Sequence, residues 1–244
     1  NMINKIKNGL LFIILIVFVY SLVLLFKNND SSSFNRLIIN VDSSFLDKTF
    51  IENFVSKEIS SDSQNINYNE LENKFSSISH VKGVAIYKDL IGNLNIGISQ
   101  YDPIARIISG KLSGNYINNE GHIFPISSRY SKRVLLLHLN DEFSNDKKMI
   151  SSEFGKDLLE MINYINNDRF FSKIISEIEI NSNKNIVIHP QFSKQKIIFG
   201  YPDDLEEKFE KINLFYNKIV PAKGWNTYKT VNVKFKNQII CDKS

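Results

Sequence analysis

The sequence predicts an α+β protein: an N-terminal transmembrane helix, a β-α-α-β-β module, and then a mixed antiparallel β-sheet domain with two packed helices. Three observations carry that expectation. Residues 10–26, LLFIILIVFVYSLVLLF, hold no charge. Apolar residues recur at helical spacing in four later segments. Between those segments, short stretches alternate apolar and polar residues as half-buried strands do.

The first element is the apolar run. As a helix its seventeen residues rise roughly 26 Å, close to the thickness of a hydrocarbon core. Tyr20 and Ser21 are its only polar side chains, so no face suits water. Lys5, Lys7 and the terminal amine precede it, which places residues 1–9 in the cytoplasm and the remainder outside. A cleaved signal peptide would have an apolar core of about 7–15 residues and a small-x-small site. Only Ser31, Ser32 and Ser33 would serve, and they lie downstream, so a retained anchor is expected. Residues 27–33 are polar and aperiodic, as a linker is.

Residues 34–102 read as the first external domain. Leu37 to Val41 is a short strand. Phe50, Ile51, Phe54, Val55 and Ile59 share one helical face, with Thr49 and Glu52 spaced as a capping box. Leu71, Phe75 and Ile78 mark a second helix, opened by Asn67 and Glu70. Strands follow at Val84 to Lys88 and at Leu94 to Ser99, joined by a Gly92-Asn93 turn. Two helices on one face of a three-stranded sheet is the expected packing.

Residues 103–241 read as the second domain, with 242–244 as a tail. Ala105 to Ile108 and Tyr116-Ile117 form a strand pair, and Asn119-Glu120-Gly121 supplies turn chemistry. Val134 to Leu139 is a further apolar strand. Phe154, Leu158, Met161, Ile162 and Ile165 lie on one helical face. Ile174 to Ile180, Ile186 to Ile188 and Lys196 to Phe199 continue the strands. A second helix runs from Asp203 to Val220, capped by Asp203 with Glu206 and ended by Pro221 and Gly224. In the tail, Val231, Val233 and Phe235 alternate with Asn232, Lys234 and Lys236, which predicts one terminal strand. At a sheet edge such a strand invites another chain, and its lysines also guard against unwanted pairing.

Composition narrows the function. With 43% hydrophobic and 23% charged residues the chain is globular in character. The formal net charge of +4 is spread without a basic stripe, which argues against nucleic acid. One cysteine, Cys241, excludes an internal disulfide. His80, His122, His138 and His189 fall in separate elements with no metal-ligand spacing, and no nucleophile elbow or phosphate loop occurs, so no catalytic residue, cofactor or metal is expected. Arg129, Lys132 and Arg133 form a basic loop around Tyr130, suited to solvent or to an acidic partner.

A β-α-α-β-β module following an apolar anchor resembles a POTRA domain. After it come Gln100-Tyr101-Asp102-Pro103-Ile104-Ala105-Arg106 and Tyr116 through Pro125. This Pro-x-Ala tract, aromatic-led strand, Glu-Gly turn and hydrophobic-Pro step resemble the cell division protein family FtsQ/DivIB. The pattern departs at Gln100, where the family often has an acid. The resemblance implies a non-enzymatic divisome assembly protein of the inner membrane, single-pass, with its C-terminal domains in the periplasm at the septum. It implies binding to FtsB- and FtsL-like bitopic proteins and an indirect link to septal peptidoglycan synthases. The family's partner surface is its final strand, to which the partner adds a strand. Here the matching residues are Val233, Lys234, Phe235, Lys236, Asn237, Gln238 and Ile239, with Phe235 as the expected aromatic anchor and Lys234 as the charged contact. Two alternatives are a POTRA-containing translocation or secretion factor, disfavoured because its usual barrel lacks two long helices, and an anchored extracytoplasmic hydrolase, which needs converging catalytic groups.

Overall fold

The computed structural model describes residues 12–23, 34–42, 45–61, 67–139, 151–225 and 227–243. The expected cytoplasmic tail at 1–9, the linker at 27–33 and parts of the apolar run at 10–11 and 24–26 lie outside them. The chain is α+β with mixed sheets, in two compact units spanning residues 1–99 and 100–244.

The transmembrane expectation is corrected. Among the described residues the N-terminal helix, α1, covers 12–23 only, and no helix is long and apolar enough to cross a membrane. Twelve residues rise roughly 18 Å, against a hydrocarbon core of about 30 Å.

The first unit follows the predicted element order: β1 (Leu37–Val41), α2 (Lys48–Ser61), α3 (Tyr68–Ser76), β2 (Val81–Lys88) and β3 (Leu94–Gln100). The sheet order is β1-β3-β2, with β1 parallel to β3. Ile51 and Val55 of α2 and Leu71 and Phe75 of α3 are buried with Leu94, Ile96 and Ile98 of β3. Asn67 caps α3, its side-chain oxygen accepting from the Glu70 N–H at 3.2 Å, as expected. The cap of α2 is not Thr49. Asp47 lies one residue before the helix, and its Oδ1 accepts from the Phe50 N–H at 2.7 Å. Asp89 knits the β2–β3 turn: its Oδ1 accepts from the N–H groups of Asn93 at 2.8 Å and Ile91 at 3.1 Å. Gly92 takes φ 88° there, a conformation glycine adopts freely.

The second unit is a nine-stranded sheet: β4 (Pro103–Ile107), β5 (Asn115–Asn118), β6 (Ile123–Pro125), β7 (Leu135–His138), β8 (Ile175–Ile180), β9 (Ile186–Pro190), β10 (Lys196–Gly200), β11 (Tyr228–Asn232) and β12 (Ile240–Lys243). Its order is β12-β11-β10-β9-β8-β7-β4-β5-β6. One register row crosses seven of these strands: Ile107, Leu137, Ile178, Ile188, Ile197, Val231 and Cys241 are successive partners. The first six of these are fully buried. They meet the apolar faces of α4 (Glu153–Asn167) and α6 (Leu205–Leu214) in a common core. Phe209 sits at its centre, with ring centroids of Tyr164 at 4.6 Å, Phe171 at 4.7 Å and Phe199 at 5.2 Å.

Three expectations fail locally. Asp203 does not cap α6, because its carboxylate pairs with the Lys208 ammonium, and the preceding position is taken by Asp204 in the left-handed conformation, φ 46°. Pro221 does not stop the helix. A π-helical turn at Phe215–Ile219 leads into α7 (Val220–Lys223), and the proline occupies the first turn of α7, where a missing N–H costs least. The single terminal strand is two strands. The alternation predicts one extended run, but Asn237 turns left-handed at φ 57°, and the chain folds back so that β12 pairs antiparallel with β11.

Candidate functional site

The region around residues 233–239 begins with α6. Leu205, Phe209 and Ile212 bury one face of this helix and fix it on the sheet. That burial also carries down two lysines. Lys208 donates to the Tyr201 carbonyl at 2.8 Å, pairs with Asp203 and lies 5.1 Å from the Phe199 ring centroid. Lys211, 8% exposed, donates to Glu207 Oε1 at 3.2 Å and to the Phe235 carbonyl at 2.8 Å. Glu207 Oε1 also accepts from the Asn237 N–H at 2.9 Å. That backbone N–H, then the Lys211 ammonium, holds the Glu207 carboxyl below its usual range.

Each predicted partner residue now has a place. Val233 is fully buried, and its N–H donates to the Ile198 carbonyl at 3.0 Å, continuing the β11 ladder by one bond. Lys234 runs its stem across Gly200, where an added Cβ would meet Lys234 Cγ at 2.9 Å, and its ammonium stands 6.0 Å from the Phe235 ring centroid. Phe235 is 44% exposed, while its carbonyl is held by Lys211. Lys236, Asn237 and Gln238 are exposed, and Ile239 is half-buried against the core. The structure therefore brings six of the seven into a turn beside α6.

The edge itself lies one step further on. β12 is one of the two edge strands of the sheet, the other being β6, and its partner among the described residues is β11. The Val233 N–H points to β10, so Val231 bonds that side while Thr230 and Asn232, beyond the register shift between Tyr228 and Thr230, bond β12. Thr230 and Asn232 face Asp242 and Ile240 across the antiparallel ladder. Alternation then directs the backbone groups of Cys241 and Lys243 away from β11, toward the open side. Burial pushes the Cys241 thiol up. A groove of about 610 Å³ separates α6 and its π-turn from the tail, lined by Leu214, Asn217 and Lys218 on one side and Asn237, Gln238 and Ile239 on the other.

The other candidates disperse. His80 stacks on Phe45 at 4.7 Å, and His122 stacks on Tyr101 at 4.3 Å. His138 pairs with Glu177, and His189 with Glu179 at 3.0 Å. No group of three His, Cys, Asp or Glu among the described residues is placed to hold a metal. In the basic loop, Lys132 is engaged by Asp102, and its N–H donates to Tyr116 Oη at 3.3 Å.

Sequence reasoning missed the role of Glu207, whose charge suits a helix N-terminus, and missed Lys211 and the hairpin that makes β12 an edge strand. Asn237-Gln238 was the available signal for the turn, since asparagine tolerates left-handed backbone. Nothing local announces that Lys211 reaches a carbonyl 24 residues away.

A family model described as FtsQ/DivIB, C-terminal related, matches residues 102–242. No curated protein matches the chain at a significant level.

Proposed function

The chain belongs to the FtsQ/DivIB family through its C-terminal related domain, and on that premise we propose that it is a non-enzymatic divisome assembly protein that docks partners at its terminal hairpin. The family places the protein in cell division, and its members are generally not enzymes. The finer reading assigns the docking surface to the turn 233–239 together with the open edge of β12.

The observation that carries this reading is the edge: a short outer strand whose Cys241 and Lys243 backbone groups face outward. Unpaired backbone groups on an edge strand recruit an added strand, which supplies hydrogen bonds while alternate side chains supply choice. Phe235 offers an exposed aromatic beside it and Lys234 a cation, while buried Val233 supports them from beneath. The partners proposed are FtsB- and FtsL-like division proteins, through which the protein connects to septal peptidoglycan synthesis. Residues 34–102 are read as a POTRA-like recruitment module, supported by their β-α-α-β-β order.

The test is a binding titration of the full chain with the FtsB- and FtsL-like pair, comparing the parent with Phe235→Glu. Loss of binding with an unchanged circular dichroism spectrum supports the reading. Unchanged binding removes this turn from the interface.

A further inference from the structure

Resting on that reading, we infer that Glu207 and Lys211 are positioning residues: from α6 they grip the 233–239 turn and thereby set the register in which β12 presents its open edge. The grip has two points. Lys211 donates to the Phe235 carbonyl at 2.8 Å, and Glu207 accepts from the Asn237 N–H at 2.9 Å. Both bonds reach backbone, so they fix the path of the chain whatever side chains the turn carries. A donor and an acceptor four residues apart on the helix meet an acceptor and a donor two residues apart in the turn. Two such points fix rotation as well as position.

The need for a grip follows from the strand itself. β12 has four residues and one neighbour, and a short edge hairpin is marginal without added support. A slip of one residue would turn Cys241 from the core face to the outer face and exchange the backbone groups on offer. The helix supplying the grip is held firmly on the core, since Phe209, between the two charges, and Ile212, next to Lys211, are fully buried. Lys211 itself is buried, and a buried ammonium must be fully partnered. One of its two acceptors exists only when the turn is docked, which couples the state of the helix to the state of the tail. The charged groups around the grip are Lys236 beside Glu207, and Glu210 and Lys218 along the groove.

The experiment compares the full chain with Glu207→Gln, Lys211→Met, Lys211→Arg and the control Glu210→Gln. Two readouts are taken: hydrogen exchange of the free protein, and affinity for the FtsB-like partner. In Glu207→Gln and Lys211→Met, the bonded amides of Asn237, Ile240 and Asp242 exchange roughly 10-fold faster, the effect of one charge-assisted bond lost or left without its charge, while β8 and β9 do not change. Partner affinity falls by a similar factor, because the partner must then order the strand. Lys211→Arg restores part of both losses, and the control matches the parent. Three results overturn the inference: unchanged exchange at Asn237, Ile240 and Asp242, acceleration spread equally over β8 and β9, or faster exchange with unchanged affinity. A separate variant, Cys241→Pro, removes an outward N–H. If it binds as the parent does, the edge reading fails, and that failure is separable because the exchange result needs no partner.

Discussion

Lys211 on α6 holds the carbonyl oxygen of Phe235 at 2.8 Å, joining a buried helix to the turn that launches the last strand. The same helix takes the Asn237 N–H through Glu207. The position of the sheet's outer edge is thus set by contacts that are remote in sequence, and several outcomes depend on them.

Replacing Lys211 with methionine keeps the stem and removes the ammonium. The Phe235 carbonyl and the Glu207 carboxylate then lose a donor. Urea unfolding of the full chain is expected to show a loss of about 1–3 kcal/mol, against less than about 0.5 kcal/mol for Glu210→Gln on the same helix.

Acid weakens the turn in a stated direction. Glu207 is held below its usual range by the Asn237 N–H and then by Lys211, so its contribution is complete above the ordinary glutamate value, about 4.3, and is lost as pH falls through its folded value. Asp89 behaves alike in the first unit, held low chiefly by the Asn93 N–H. Carbon-detected NMR titration should place both carboxyls below their unfolded values. In Glu207→Gln the acid sensitivity of the tail amides should disappear.

Phe209→Ala empties the middle of the second core. The ring is fully buried and packs on Tyr164, Phe171 and Phe199. The expected cost is about 3–5 kcal/mol, read from denaturant midpoints.

Gly200→Ala is expected to cost about 1–2 kcal/mol from its left-handed φ of 82°. The new Cβ also meets Lys234 Cγ at 2.9 Å. Combining it with Lys234→Ala removes the clash and leaves the backbone strain. The double variant is therefore expected to be more stable than the sum of the two single losses predicts.

These features differ in how far the sequence announces them. The β-α-α-β-β order was legible because Ile51, Val55, Leu71 and Phe75 keep helical spacing while Leu94, Ile96 and Ile98 keep strand spacing, and each pattern is local. The Asn67 cap was legible for the same reason. Asp203 was not, because its carboxylate is claimed by Lys208, a partner that only the folded helix brings close. In the tail the alternation is correct through Val233, whose side chain is buried as expected. It fails beyond, because alternation reports faces and is silent about where a chain bends. The bend at Asn237 is enforced by Glu207, 30 residues away. The apolar run at 10–26 predicted a span, and composition alone does not fix helix length; the described helix covers 12–23.

The open edge of β12 is the central claim, and amide exchange at Cys241 and Lys243 tests it most directly. Exchange of the full chain is followed with and without saturating FtsB-like partner. Pairing with an added strand is expected to slow both amides at least about 10-fold while the already bonded amides of β11 change little. If both amides exchange as fast with the partner bound as without it, docking does not occur at this edge.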